Sequence, residues 1–417
     1  MVAQLVRRSA RPVLFVAVLA ALLLLLAMPA AAINWIDFQA AAGVLGQPSF
    51  GTNGTGIPTD SNFTSPRGIA VDPTTGKVFV VDNGHERVLR FSALAAVING
   101  SAAEAVLGQP DFTQDAAATT PNGMCSPQGV FVDSAGRLWV SDFCNRRVLR
   151  FDNAASKLSG ANADGVLGQP DFISNVVTAT QSGMAGPIGV VGAFGTLFVA
   201  DSPNNRVLIF YNAASQANGA NADLVLGQPD FTSHVAHTTQ NGMSFPHSVF
   251  IDGDFRLWVA DRNNHRVLRF DYAHWHIANG ANADGVLGKF NFTSAGASGI
   301  TATSVGSPDG VTVDAQGRLY VVDETDNRVL IFNHAATLGN GAPACNVLGQ
   351  PDFTSSTINN GGLSAKSLWG PMGIFFDVGR DNLWVADAVN QRVLRFGTAV
   401  SSNPNLCNFI FLPLIIK

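Results

Sequence analysis

The sequence predicts an all-β chain folded as a six-bladed β-propeller of four-stranded antiparallel blades, and three observations carry that prediction. The run Arg-Val-Leu-(Arg/Ile)-Phe begins at Arg87, Arg147, Arg206, Arg266, Arg328 and Arg392, recurring every 59 to 64 residues. A second run, Val-Leu-Gly-Gln-Pro-Asp-Phe, keeps the same beat from Val44, Val106, Val166, Val225, Val286 and Val347; its fifth copy is degraded to Val286-Leu-Gly-Lys-Phe-Asn-Phe292. Self-similarity at a fixed period means repeated supersecondary units, each too small to bury its apolar face without neighbours. The third observation is a mismatch at the ends: one copy of the second run precedes any inner strand, while the last unit, 370–396, has none after it.

Within a unit, the strands follow from composition. Gly129-Val-Phe-Val-Asp133, Arg137-Leu-Trp-Val-Ser-Asp142 and Arg147-Val-Leu-Arg-Phe151 are β-branched and aromatic runs between turn residues, the pattern of three antiparallel strands. Val166-Leu-Gly-Gln-Pro-Asp-Phe172 supplies a fourth, placed at a sheet edge because its Pro lacks a ladder donor. Four strands in each of six units describe the propeller. The N-terminal Val44-Leu-Gly-Gln-Pro-Ser-Phe50 then completes the last blade and closes the ring, leaving no open strand edge between first and last blades.

Residues that repeat in every unit read as scaffold. Asp82, Asp142, Asp201, Asp261, Asp323 and Asp387 end the second strand, where a carboxylate is expected to accept amide N–H groups of the following turn. Phe79, Trp139, Phe198, Trp258, Tyr320 and Trp384 share one position of that strand and are expected to pack between neighbouring blades. Three of the linkers between blades end in Gly-Met, at Met124, Met184 and Met243, and each Met is expected to fill an inter-blade gap. These linkers are also long enough to serve as binding elements.

Residues that vary from blade to blade read as a candidate site. The residue after the Pro of each inner strand is expected to point at the central channel, giving the ring Arg67, Gln128, Ile188, His247, Asp309 and Met372. His247 and Asp309 lie on adjacent blades within hydrogen-bonding reach, and Arg67 and Gln128 add polar contacts. The ligand-binding candidates are therefore Arg67, Gln128, His247, Asp309 and Met372; the bland alternative is a hydrated channel mouth with no ligand.

The ends bound the compartment. Residues 1–32 read as a secretory signal peptide, with Arg7, Arg8 and Arg11 ahead of an apolar run from Val13 to Ala27 and a small-residue cleavage site at Ala30-Ala-Ala32. An uncleaved membrane anchor is the alternative, the only membrane contact expected. Domain assignment follows: signal peptide 1–32, propeller 33–397, apolar tail 398–417, the last read as packing on the propeller or as a surface-attachment signal. Losing three Arg with the leader takes Lys+Arg from 25 to 22 against 30 Asp+Glu, a formal charge of −8. An acidic chain lacks the basic side chains that displace phosphate counterions, so a nucleic-acid partner is not expected. The protein is expected to be secreted or extracytoplasmic.

Four Cys in an exported chain invite pairing. Cys125 and Cys144 fall at the same end of blade 2, which predicts a Cys125–Cys144 disulfide. Cys345 and Cys407 fall at the opposite end on adjacent blades, which predicts Cys345–Cys407 and a tied-down tail. No two Cys have close metal-ligand spacing, and no metal or other cofactor is expected.

Runs such as Ser126-Pro-Gln-Gly-Val-Phe-Val-Asp133 and Val259-Ala-Asp-Arg-Asn-Asn-His-Arg-Val-Leu-Arg-Phe270 resemble the NHL-repeat family of β-propellers, over residues 44–397. The Val-Leu-Gly-Gln-Pro-Asp-Phe element is similar to that of exported bacterial members. The resemblance implies a propeller and leaves function open among RNA-binding modules, sensor domains, interaction platforms and zinc-dependent peptidyl-amidoglycolate lyases. In the lyases, His at the post-Pro position of three alternate blades holds zinc; the matching positions here are Gln128, His247 and Met372, with Arg67, Ile188 and Asp309 as the other alternate set. One His of three does not make that site. Lactonase-type propellers use acidic and amide ligands in the channel, where only Asp309 and Gln128 stand at this level. The reading is thus a binding or interaction scaffold for a protein, peptide or glycan, with a metal-dependent channel lyase or hydrolase as the alternative.

Overall fold

A computed structural model describes residues 35–93, 98–271 and 277–397. Residues 1–32, the tail 398–417 and Cys407 fall outside the described residues, and with them the leader, the tail and the Cys345–Cys407 pairing. Among the described residues no helix is long and apolar enough to cross a membrane.

Six four-stranded antiparallel sheets form the blades of a ring. Blade 1 is built from Pro66–Val71, Lys77–Asp82, Arg87–Ala93 and Ala105–Leu107, and the next four blades repeat that order. Blade 6 takes Pro371–Asp377, Asn382–Asp387 and Arg392–Phe396 from the C-terminal end, and its outer strand, Gly43–Leu45, from the N-terminal end. Gly43 pairs with Arg395, Val44 with Leu394 and Leu45 with Val393, so the ring is closed by backbone hydrogen bonds. The outer strands are shorter than the repeated run suggests: only three residues pair before a Gly with positive φ (Gly108 at 91°) turns the chain away. The Gln-Pro-Asp-Phe segment then lies over the linker face, where Gln109 donates to the carbonyls of Glu86 and Ala116.

The core lies between blades. Phe79 packs with Val130 and Leu149 of blade 2, Trp139 with Val199 and Leu208 of blade 3, and Trp384 with Ile69 and Leu89 of blade 1. The repeated aromatic position is therefore the inter-blade wedge in every unit. Met124, Met184 and Met243 are fully buried in the same clusters, with Phe63, Val305 and Leu368 taking their place in the other blades. Each such side chain contributes about 1.5–3 kcal/mol of burial.

The repeated Asp acts differently from its sequence expectation. Asp142 Oδ1 accepts the Cys125 amide at 2.7 Å, and Asp261 Oδ1 the Ser244 amide at 2.7 Å, so the backbone amides held are those of the linker entering the inner strand, while the following turn donates through a side-chain amide, Asn145 or Asn264. The reason is the Arg five residues on. Arg266 Nε donates to Asp261 Oδ2 at 2.7 Å, while its Nη2 donates to the carbonyls of Thr239 and Gly242 and its Nη1 to that of Phe292. One buried guanidinium thus ties the turn, the linker and the outer segment together. In blade 6 the corresponding carbonyl belongs to Phe50, so Arg392 also locks the N-terminal segment in place.

Cys125 and Cys144 form a disulfide with Cα atoms 5.3 Å apart, joining the linker and turn of blade 2. Such a bond suits an oxidising, extracytoplasmic compartment.

Candidate functional site

Each inner strand opens with a β-bulge. Pro66 opposes Asp82 but Ile69 opposes Val80, so Arg67 and Gly68 share one position of the partner strand, and the same shift recurs at Pro127, Pro187, Pro246, Pro308 and Pro371. A bulge re-aims a side chain without ending the sheet. Here the residue after Pro is released from the ladder and lines the channel, while the following residue faces the next blade. That second position is Gly in five blades because backbones nearly touch: a Cβ on Gly373 would stand 2.0 Å from the Arg67 carbonyl oxygen. Blade 4 has Ser248 instead, and its Oγ accepts the Val311 amide at 3.3 Å.

All six ring residues line one central cavity of about 110 Å³. Arg67, Gln128, His247 and Asp309 supply its polar groups, Ile188 and Met372 its apolar sector, and Val130, Val190, Val249 and Val311 its walls. Asp309 is buried, with its carboxylate Oδ1 against His247 Nδ1 and 3.7 Å from Arg262 Nε. His247 Nδ1 also lies 3.3 Å from the Asp309 carbonyl. With Nδ1 turned to Asp309, Nε2 is the ring nitrogen left for a ligand or for proton transfer.

Two residues that sequence reasoning missed complete the cluster. Arg262 and Glu324 pair through the Arg262 Nη2, so a cation and an anion from adjacent blades stand beside Asp309. Both occupy the first position after the repeated Asp, which reads Asn83, Phe143, Ser202, Arg262, Glu324 and Ala388 around the ring. Variation at that position was the available signal. Burial lowers the pKa of Arg67, Asp309 and Glu324 oppose that shift, and Arg262 adds to it. The cluster pairs two guanidinium groups with two carboxylates, and His247 adds charge only when protonated.

Three polar atoms of this ring are buried without a hydrogen-bond partner among the described residues: Arg67 Nε, Gln128 Oε1 and Asp309 Oδ1. Asp309 Oδ1 is in ion-pair contact with His247 Nδ1, whereas the donor Arg67 Nε and the acceptor Gln128 Oε1, on neighbouring blades, have no such contact. Among the described residues no three His, Cys, Asp or Glu side chains come together as a metal site. The donor set does not fit a protein-held catalytic metal.

Comparison with known proteins adds the family. The NHL repeat model matches residues 63–91, 124–151 and 306–332, in blades 1, 2 and 5. The chain is an NHL-repeat propeller. No curated protein matches it. A Bacteroides thetaiotaomicron structure of unknown function is similar to this NHL propeller at 15% identity, over 85% of this chain and 74% of that one, with a TM-score of 0.51. A streptogramin B lyase is 14% identical over 81% of this chain and 95% of its own, with a TM-score of 0.45. A gluconolactonase from Xanthomonas campestris is 15% identical over 85% and 98%, with a TM-score of 0.46. At these identities the likeness is one of fold alone.

Proposed function

We propose that this NHL propeller is an exported binding protein that seats the polar end of a peptide, protein or glycan ligand at the channel mouth, between Arg67, Gln128, His247 and Asp309. The observation that carries the reading is the buried, unpartnered pair Arg67 Nε and Gln128 Oε1 at one cavity. Leaving a buried donor or acceptor unmet costs about 1–3 kcal/mol each; unlike unmet atoms elsewhere, such as Arg90 Nε and Gln228 Oε1, these two belong to residues that line the central cavity, where a ligand can meet them. A cavity of about 110 Å³ holds an end group rather than a whole large ligand, so the rest of the partner would lie across the linkers. The N-terminal apolar segment and the Cys125–Cys144 disulfide support export.

The His247–Asp309 pair favours a second reading, a channel lyase or hydrolase with His247 as general base. The two separate in one experiment. Mature wild-type protein and the Arg67→Ala/Asp309→Asn variant are immobilised side by side and exposed to the native exported fraction. The binding reading expects an unaltered ligand retained by the wild type and lost from the variant. Identical eluates, or recovery of a cleaved product from the wild type only, would overturn it.

A further inference from the structure

We infer a second binding site on the face opposite the linkers, an aromatic shelf between blades 2, 3 and 4 whose ligand is a neutral carbohydrate. It arises where the repeat is broken in three ways at one place. The inner strand of five blades ends in a large apolar residue followed by Asp, as in Val132-Asp133 and Ile251-Asp252, whereas blade 3 has Gly192-Ala193. The hairpin that follows carries Gly at its positive-φ position in blades 1, 2 and 5, Gly76 at 75°, Gly136 at 74° and Gly317 at 72°. Blade 4 has Phe255 there, at φ 62°, and the two-residue hairpin of blade 3 places Phe194, at φ 50°, ahead of Gly195 at 81°.

A bulky residue in the left-handed region is unfavourable, and such outliers persist where the surrounding structure uses them. Here the two rings meet across neighbouring blades, with centroids 4.8 Å apart and planes at 37°. Phe194 is nonetheless 77% exposed, so the contact is a platform rather than a core. Beside it lies a groove of about 290 Å³, lined by Phe131, Asp133, Ser134, Arg137, Trp139 and Phe194. Gly192 makes the groove, since a Cβ there would stand 2.9 Å from Phe131 Cε1.

The chemistry of the rim selects the ligand. Arg137 Nε pairs with Asp133 Oδ2 at 2.7 Å, leaving its two Nη groups to donate, and the Ser134 hydroxyl is exposed. Arg256, next to Phe255, is likewise offset by Asp254 at 2.7 Å and Asp252 at 3.4 Å. With each guanidinium neutralised, nothing here attracts an ion. Two rings and a short groove also fall well below the roughly 800 Å² per partner of a stable protein interface. An exposed aromatic face flanked by hydrogen-bond donors and hydroxyls matches a pyranose, which presents a C–H face for stacking and hydroxyls at its edge.

The test uses the mature protein with cellohexaose, maltohexaose and chitohexaose as probes, followed by titration calorimetry and Trp fluorescence. At least one hexamer is expected to bind, with affinity lost by about tenfold or more in Phe194→Asn/Phe255→Gly. Because Asn and Gly suit positive φ, the double variant is expected to melt no lower than the wild type, which separates lost binding from lost fold. Arg137→Met is expected to weaken binding several-fold. Absence of binding by all three hexamers, unchanged affinity in the double variant, or wild-type self-association that the double variant abolishes would overturn the assignment.

Discussion

Blade 4 contributes to two acid–base pairs that differ in their surroundings, one within the blade and one shared with blade 5. Asp261 and Arg266 are both fully buried, 2.7 Å apart, and bonded on every side; the arrangement recurs in all six blades. His247 and Asp309 occur once, at the channel, beside an Arg67 whose Nε is unmet. Sixfold recurrence marks scaffold, and a single occurrence on the wall of the central cavity marks a site. The contrast holds within single strands: Pro308–Val313 places Asp309 on the channel one residue before the glycine that touches the next blade.

The largest effect tests the scaffold side. Arg266→Ala leaves Asp261 buried without its partner and frees the carbonyls of Thr239, Gly242 and Phe292, so a loss of about 3–5 kcal/mol is expected in denaturant unfolding. Arg147→Ala is expected to match it, because its contacts are equivalent. Next comes Cys125→Ser/Cys144→Ser. Opening a loop closed across 19 residues is expected to cost about 3 kcal/mol, and reductant is expected to lower the wild type to the same midpoint.

A smaller effect sharpens the comparison inside the repeat itself. The turn carries Asn145, Asn204, Asn264 and Asn390, each donating to the repeated Asp at 2.8–2.9 Å, but blade 5 has Asp326. Burial and the neighbouring Asp323 raise the Asp326 pKa to about 6. An acid whose folded pKa lies above its unfolded value near 4 holds its proton more tightly when folded, so stability is lost as pH rises between those values. Asp326→Asn is therefore expected to stabilise by about 1–2 kcal/mol above pH 6 or so, with the gain fading toward pH 4. Thermal melts of both proteins across that range give the result, and a gain that is flat with pH would contradict the assignment.

Much of this was legible in the sequence because each element is stated six times. The blades, the closing strand at Val44, the inter-blade aromatics and the Met plugs all follow from comparing copies, and the Cys125–Cys144 bond from the strand order those copies set. The same comparison picks out the six ring residues, which line the central cavity. What escaped depended on directions that periodicity does not encode. Arg262 and Glu324 sit in turns, where side-chain aim is set by the turn and not by strand alternation. The linker amides bound by Asp142 and Asp261 are about 17 residues earlier, a contact visible only after folding. The short outer strands reflect the left-handed Gly that ends them. Phe194 and Phe255 were visible as departures from the hairpin consensus, but their contact requires the geometry of adjacent blades.

The smallest expected effect bears on the central claim, that the irregular channel ring is a site and not scaffold. Arg67→Met/Gln128→Met removes two buried polar atoms of the ring that lack partners, and a fold relieved of unmet polar groups is expected to hold or gain stability. The measurement is the urea unfolding midpoint of this double variant against wild type. A midpoint equal to or above wild type is the predicted result; a fall comparable with that of Arg266→Ala would show that the ring is structural and contradict the account.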